Sequence, residues 1–435
     1  MDSALGRTLT SSAVGLPLDL VSPEIRRHAA RVIADTIGVA LGGGKRPEIR
    51  SFVRGEEPLF TPLSGGDAQL FVPGLPGTDP ATAAFVNATA GTFLELDEGY
   101  RPTGHPAMHV VPAALAAAQV LRSTGREFLT AVLAGYEVTA RLFEAYRLIY
   151  PLHPHGHFGA VGAAVAVARL RNADPEEPAA IAATLPLLPV WQPCYEGATT
   201  RNAYTGTAAM IGVNANRMAA AGFTGSREAQ SVAFGELVGE LVNPGVLTEP
   251  VDLENLRITR NYLKLHSACA LSHSALDAVL TLGSLSAEEI ESVEVETVSN
   301  NMKISRLARP NDLSTRFSLP YAVAAAIVYG HTGPEAFVPD KRVFELAERV
   351  EVRTAEDLED AWPTSAPARV TVRRRGEDRA HQVDNPRGHH ANPVRPEELR
   401  NKFMMLAGEN ADSLYERLLA LEEVQDMARI FERVA

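Results

Sequence analysis

The chain has 435 residues, 46% of them hydrophobic, and a formal net charge of −12; that length exceeds one compact core and predicts two domains. Nucleic-acid binding needs a concentrated basic surface, and Arg373-Arg374-Arg375 is the only basic triplet, in a stretch that reads as a solvated hairpin edge. The two cysteines, Cys194 and Cys269, fit neither a disulfide-stapled scaffold nor a four-cysteine iron–sulfur cluster.

The N-terminus lacks a charged segment followed by an apolar stretch, so no signal peptide is expected. No apolar run reaches ~18 residues, so no membrane span is expected and the cytoplasm is the default location. Ser22-Pro23 reads as a capping side chain before a first-turn proline. Ile25, Ala29, Val32, Ile33, Ile37, Ala40 and Leu41 then give one apolar helix face, stopped by Gly42-Gly43-Gly44. Lys45–Gly77 reads as irregular. Helical patterns follow over Asp79–Leu96, Pro106–Leu121, Arg126–Leu148, Gly156–Arg171, Glu177–Leu185, Gly206–Ala221, Arg227–Val238 and Ser267–Leu282. Short Gly, Pro and polar connections separate most of them, as in a bundle.

Near residue 285 the period changes. Ile290–Val298 alternates over much of its length and reads as a strand, and Leu319–Tyr329 as a helix. Ala368–Arg374 and His381–Val383 flank Gly376-Glu377-Asp378 as a hairpin. Pro396–Leu406 and Ala411–Val434 return to helix. The expected fold is mainly α. A large helical domain takes 1–284 and 391–435, and a smaller α+β domain at 285–390 is inserted into it.

Neither the phosphate-cradling GxxxxGK[ST] nor the nucleophile elbow GxSxG occurs. Gly156, Gly159 and Gly162 stand at intervals of three, which is not GxGxxG; they read as small residues on one helix face that admit a close neighbour. What stands out is His, Lys and Arg inside apolar, Gly/Pro-rich segments. His105 precedes a helix beginning at Pro106, whose N-terminus favours an anion. His153, His155 and His157 alternate before a Gly-rich helix and can line a pocket or, with a further ligand, hold a metal. Arg201, in a loop feeding a helix that also carries Tyr204, can clamp a carboxylate with two parallel hydrogen bonds. Lys264 leads a segment running through Cys269, a small buried side chain, to His273 and Asp277. These last two are four apart on one helix face, so the Asp can orient the imidazole.

Taken in order, Ala34-Asp35-Thr36-Ile37-Gly38-Val39-Ala40, Phe85-Val86-Asn87, Leu96-Asp97 and Gly104-His105-Pro106 resemble the MmgE/PrpD family. So do His153-Pro154 with Phe158-Gly159, Gly222-Phe223-Thr224-Gly225, Lys264 through Asp277, Phe317-Ser318-Leu319-Pro320-Tyr321-Ala322-Val323-Ala324, Asn392-Pro393 and Lys402-Phe403. Each motif is weak alone; the ordered set covers nearly the whole chain. The resemblance implies a helical domain with a smaller lid-like domain, usually as a homodimer. It implies lyase or isomerase chemistry on small di- and tricarboxylates with no metal and no organic cofactor. It points to Asp97, His105, His153 and Lys264 as pocket residues, with His273 and the loop around Arg201 nearby. The expected catalytic residues are therefore His105, His153, Lys264, Asp97 and His273, and the expected substrate-binding residues Arg201, Tyr204, Cys269 and His155. The chain departs from the family pattern at Asp97-Glu98, at Arg201 where many relatives have Lys, at Tyr204 where they have His, and at His155 and His157 where Thr is usual. Arg keeps the charge but cannot serve as a base.

The chemistry follows from the substrate class. A proton α to a carboxylate is weakly acidic, so its removal needs a placed base and cations for the developing charge. Loss of β-hydroxide makes a dehydratase, return of the proton to the other face an epimerase, and loss of CO₂ a decarboxylase. A hydro-lyase acting on a 2-methylcitrate-like acid is the first expectation. An epimerase or decarboxylase of the iminodisuccinate or cis-aconitate type is the alternative, and a catalytically dead binding protein or a metal-dependent hydrolase stands outside both.

Overall fold

The computed structural model describes residues 15–432 apart from Pro58, Pro73 and Pro186. The ends of the expected first domain, residues 1–14 and 433–435, and with them Val434 of the last expected helix, lie outside the described residues. The architecture is mainly α. Helices start where a capping side chain precedes proline: Ser22 Oγ accepts the Ile25 N–H at the head of α1 (Pro23–Gly43). A short α2 (Pro47–Arg54) follows, and Asp79 accepts from Ala81 and Thr82 at the head of α3 (Pro80–Gly91). Then come α4 (Pro106–Leu121), α5 (Gly125–Ala145) and α6 (His157–Leu170). Thr124 and Glu127 close a reciprocal capping box on α5. The helices α3, α4, α6 and α7 (Ala203–Ala220) pack on one another, with α5 along α6.

Small residues make those approaches close. A Cβ on Gly162 would lie 2.5 Å from Gly135 O of α5, and one on Gly159 would lie 2.2 Å from the His109 ring of α4. Ile33 and Ile37 of α1 share their core with Val110, Leu129 and, from far along the chain, Leu399 and Phe403 of α10 (Pro396–Ala407; α8 and α9 are placed below).

Four short strands tie loops together: β1 (Gly99–Tyr100) pairs antiparallel with β4 (Asn261–Tyr262), and β2 (Tyr146–Leu148) with β3 (Gly239–Leu241). A second core is built on a sheet of order β6-β5-β7-β8, formed by β5 (Ile290–Thr297), β6 (Val350–Thr354), β7 (Ala368–Arg374) and β8 (Arg379–Val383). The central β5 runs parallel to β6 and antiparallel to β7, with a register irregularity between Ile290 and Ser292 that accounts for the break in its alternation. The helices α8 (His273–Thr281) and α9 (Leu319–Tyr329) pack on this sheet. The same core reaches back to Trp191, Cys194, Ala268 and Cys269.

Several expected boundaries move, each for a tertiary reason. The helix expected over Arg126–Leu148 stops at Ala145 because Tyr146–Leu148 pairs with Gly239–Leu241. The approach to that second strand also ends the Arg227 helix at Val232, followed by a wide turn over Ala233–Leu237. Ser267–Leu282 becomes helical only at His273, since Ser267 N–H donates to Thr332 O and Cys269 N–H to Arg316 O. Lys45–Gly77 is not wholly irregular, because it holds α2, ended by Gly55 at φ +57°. The last expected helix is a true α-helix only over Asp412–Leu419. Among the described residues no helix is long and apolar enough to cross a membrane.

One buried ion pair joins α10 to the first core beneath the loop that carries Asp97. Lys402 Nζ lies 2.6 Å from Asp35 Oδ1 and donates to Leu96 O at 2.8 Å. Burial pushes the Asp35 carboxyl up and the Lys402 ammonium down, so the two charges hold each other against the cost of leaving water. Lys402→Met strands the Asp35 carboxylate and should cost about 3–5 kcal/mol of stability, read as a lower denaturant midpoint; a midpoint equal to wild type would show that the pair carries no stability.

Candidate active site

The site forms where the two cores meet. The register of β1 with β4 sets Gly99 opposite Tyr262, and two residues further along it brings Asp97 opposite Lys264. Only glycine fits at the crossing: a Cβ on Gly99 would lie 2.1 Å from the Tyr262 ring. Lys264 Nζ then stands 3.0 Å from Asp97 Oδ1 and 3.2 Å from Glu95 Oε2. Arg201, at the foot of α7, ion-pairs with the other oxygen of Glu95, and its guanidinium lies 4.9 Å over the Phe317 ring of the second core. All four charged side chains are essentially buried. Glu95, which carries these two cationic partners, has φ +51°, a left-handed conformation uncommon outside glycine.

Burial alone would raise Asp97, yet Lys264, His105 and Arg201 hold its carboxyl well below the usual range, so it is ionised. Against the same burial, Asp97 and Glu95 hold Lys264 up as ammonium. The next residue behaves oppositely. Burial pushes Glu98 up to about 8, even though the Tyr136 hydroxyl and the Ala107 N–H (3.1 Å) donate to it. Adjacent carboxyls thus differ in charge because only one of them faces the cations.

Three imidazoles surround Asp97. His105 Nδ1 donates toward Asp97 Oδ2 (2.8 Å) and Glu98 O (2.7 Å), which puts its proton on Nδ1 and leaves Nε2 without a hydrogen-bond partner among the described residues. His153 Nδ1 accepts the His155 N–H at 3.2 Å, so the neutral ring carries its proton on Nε2. Burial and then the neighbouring Arg201 charge press His153 well below its ordinary range, which keeps it a neutral donor. His155 lies between them, its ring centroid 4.3 Å from His105 and 4.7 Å from His153; its Nε2 is 3.6 Å from Asp97 Oδ2, and neither nitrogen has a hydrogen-bond partner among the described residues. Behind them His109 Nδ1 donates to His105 O (2.7 Å) and its Nε2 accepts the Gly156 N–H (2.8 Å).

The cavity between the cores is lined by His105, His153, Lys264 and Arg201 together with Cys269, Trp191, Phe317 and Lys303. Tyr204 stands off it, its ring 6.1 Å from His153 and its hydroxyl accepting the Val190 N–H. Burial raises the Cys269 thiol to about 11, so it is a neutral wall residue. Two expectations need correction. Asp277 does not orient His273: it takes His266 Nε2 at 3.0 Å and the Arg387 N–H, while His273 Nε2 turns to Ala268 O at 3.0 Å, away from the cavity. Nor do the three alternate histidines converge on one point; among the described residues the set able to share an ion is Asp97, His105 and His155. Lys264 and Arg201 already supply the cations at that carboxylate cluster, which disfavours a divalent ion there.

The sequence reading missed Glu95, Arg101, Trp191 and Lys303. Glu95 had one available signal, a carboxylate inside the apolar run Phe93-Leu94-Glu95-Leu96. The model of the MmgE/PrpD N-terminal domain matches residues 7–236, and that of the MmgE/PrpD C-terminal domain matches residues 266–427. Among curated proteins, the chain is similar to a cis-aconitate decarboxylase of Mus musculus, 24% identical over 95% of this chain and 89% of the relative. It is also similar to a cis-aconitate decarboxylase of Homo sapiens, 22% identical over 98% of this chain and 93% of the relative.

The Glu98 carboxyl is harder to ionise folded than unfolded. Its contribution to stability is therefore complete below its ordinary value of 4.5 and is lost as pH rises toward about 8. Glu98→Gln should remove that loss, so the variant gains on wild type by up to about 1.4 kcal/mol per pH unit across the window. Urea midpoints at several pH values check this, and parallel curves would refute it.

Proposed function

The chain belongs to the MmgE/PrpD family, and from that premise we propose that this enzyme is a lyase that dehydrates a small hydroxy-polycarboxylate, a 2-methylcitrate-like acid, with no metal or organic cofactor. The observation that carries the reading is the Asp97–His105 pair at the cavity wall. An ionised carboxylate fixes the tautomer and supports the imidazolium that forms when Nε2 takes the proton α to a substrate carboxylate. His153 Nε2–H is the neutral donor to the charge that gathers on that carboxylate. The C–H electron pair becomes the new C=C bond, the β-carbon–oxygen bond breaks, and the proton on His105 goes to the departing hydroxide as water. Asp97 and Lys264 act by holding His105 and the charge balance of the pocket. Residues 285–390 serve as the lid that brings Lys303 over the cavity.

A second reading is decarboxylation of a related polycarboxylate, favoured by the two relatives aligned over nearly the whole chain. The same base and donor would then handle the carbanion left when CO₂ departs. Epimerisation uses the same proton removal with return to the opposite face.

Incubation with a panel of hydroxy- and amino-polycarboxylates in deuterated water, followed by NMR, separates the three. Alkene formation with activity unchanged by EDTA is expected; activity abolished by EDTA and restored by one metal would overturn the cofactor-free reading. His105→Gln should lose ~10²–10⁴-fold in kcat. His153→Leu, which removes the donor, should lose ~10²–10³-fold, and His153→Gln should recover most of it. Full activity in both His105→Gln and His153→Leu would refute this division of roles.

A further inference from the structure

The cations first expected to hold substrate carboxylates are already occupied. Arg201 is matched by Glu95, and Lys264 by Glu95 and Asp97, all inside the protein. The four charges sum to zero. A substrate carboxylate reaching either cation would have to displace a buried protein carboxylate, stranding it.

Two other cations face the same cavity with no acidic partner among the described residues. Arg101 follows β1 on the wall of the first core. Its guanidinium lies 5.4 Å from the Tyr262 ring centroid and 5.5 Å from that of Trp362, and its buried Nε has no hydrogen-bond partner among the described residues. Those aromatic faces fix the plane of the guanidinium without using its N–H groups. Lys303 belongs to the second core, in the turn after β5, and its Nζ donates only to the neutral Asn300 Oδ1 at 2.6 Å. Burial lowers both groups, as expected of cations whose counter-charge is missing. Lys303, Asn300, Pro102 and Trp191 also line an adjoining cavity of about 590 Å³, so Lys303 stands at the throat between the two spaces.

Resting on the polycarboxylate reading, we propose that Arg101 and Lys303 are the substrate's carboxylate anchors. Arg101 takes one carboxylate through two parallel hydrogen bonds, and Lys303 takes a second as a point charge. The substrate must then carry at least two carboxylates and spans both cores, while Arg201 and Lys264 set the field around His105.

The test is calorimetric titration with tricarballylate, a tricarboxylate with no hydroxyl to eliminate, against wild type, Arg101→Met, Arg101→Lys, Lys303→Met and Lys303→Gln. Wild type should bind it and prefer it over butyrate. Arg101→Met and both Lys303 variants should weaken tricarballylate tenfold or more, and should narrow its preference over butyrate, which can engage only one anchor at a time. Arg101→Lys, folded and charged but without the fork, should fall between. A variant that melts early is replaced by its partner substitution at the same position. Tricarballylate affinity within twofold of wild type at both positions would overturn the assignment and leave the polycarboxylate reading standing. A wild type that binds no tricarboxylate would overturn both.

Discussion

The site depends on charges that the fold buries in matched numbers. Glu95 and Asp97 meet Lys264 and Arg201 with all four side chains buried. Isolated, any one of them would cost several kcal/mol to bury. Together they are tolerated, and what they provide is orientation: an ionised Asp97 that pins the Nδ1 proton of His105, and a positive charge on Arg201 that adds to burial in keeping His153 neutral. Glu98, one residue on, marks the edge of that field, because without a cation it resists ionisation. The ionised state of Asp97 and of Lys264 follows from this one arrangement of four side chains.

That arrangement needs both cores. Asp97 and Glu95 hang from the loop before β1, held from below where Lys402 reaches Asp35 and Leu96 O. Lys264 comes from the far end of the β1–β4 pairing, and Arg201 is covered by Phe317. The helices α1 to α7 act as a frame that sets three loops at one depth. The connections around the sheet, α8 and α9 supply Cys269, Lys303 and Phe317 to the cavity.

Much of this was legible from residue order because local physics decides it. Ser22-Pro23 and Asp79-Pro80 announce helices through caps that need no distant partner, and β5 shows its face through alternation. The pocket residues His105, His153, Lys264 and Arg201 stood out as charge in apolar surroundings. Where the reading failed, a distant segment had overruled a local rule. The i,i+4 spacing of His273 and Asp277 is sound helix geometry, yet Asp277 is claimed by His266 and by the Arg387 backbone. Tyr146–Leu148 continues a helical pattern but is drawn into a strand by a partner more than ninety residues away. Arg101 carried no sequence signal, since what distinguishes it is the lack of a counter-charge.

The β1–β4 pairing is only two residues long on each side, yet it alone fixes which residues of two distant loops confront each other. In a ladder this short a slip of one position would turn Asp97 to the opposite face and seat a neutral neighbour against the Lys264 ammonium. The stretch from Glu95 to His105 therefore has no freedom to lengthen or shorten. Change in what the cavity accepts is therefore open to exchanges of single side chains on its wall, at positions such as Arg101 and Lys303, and closed to changes in the spacing between them.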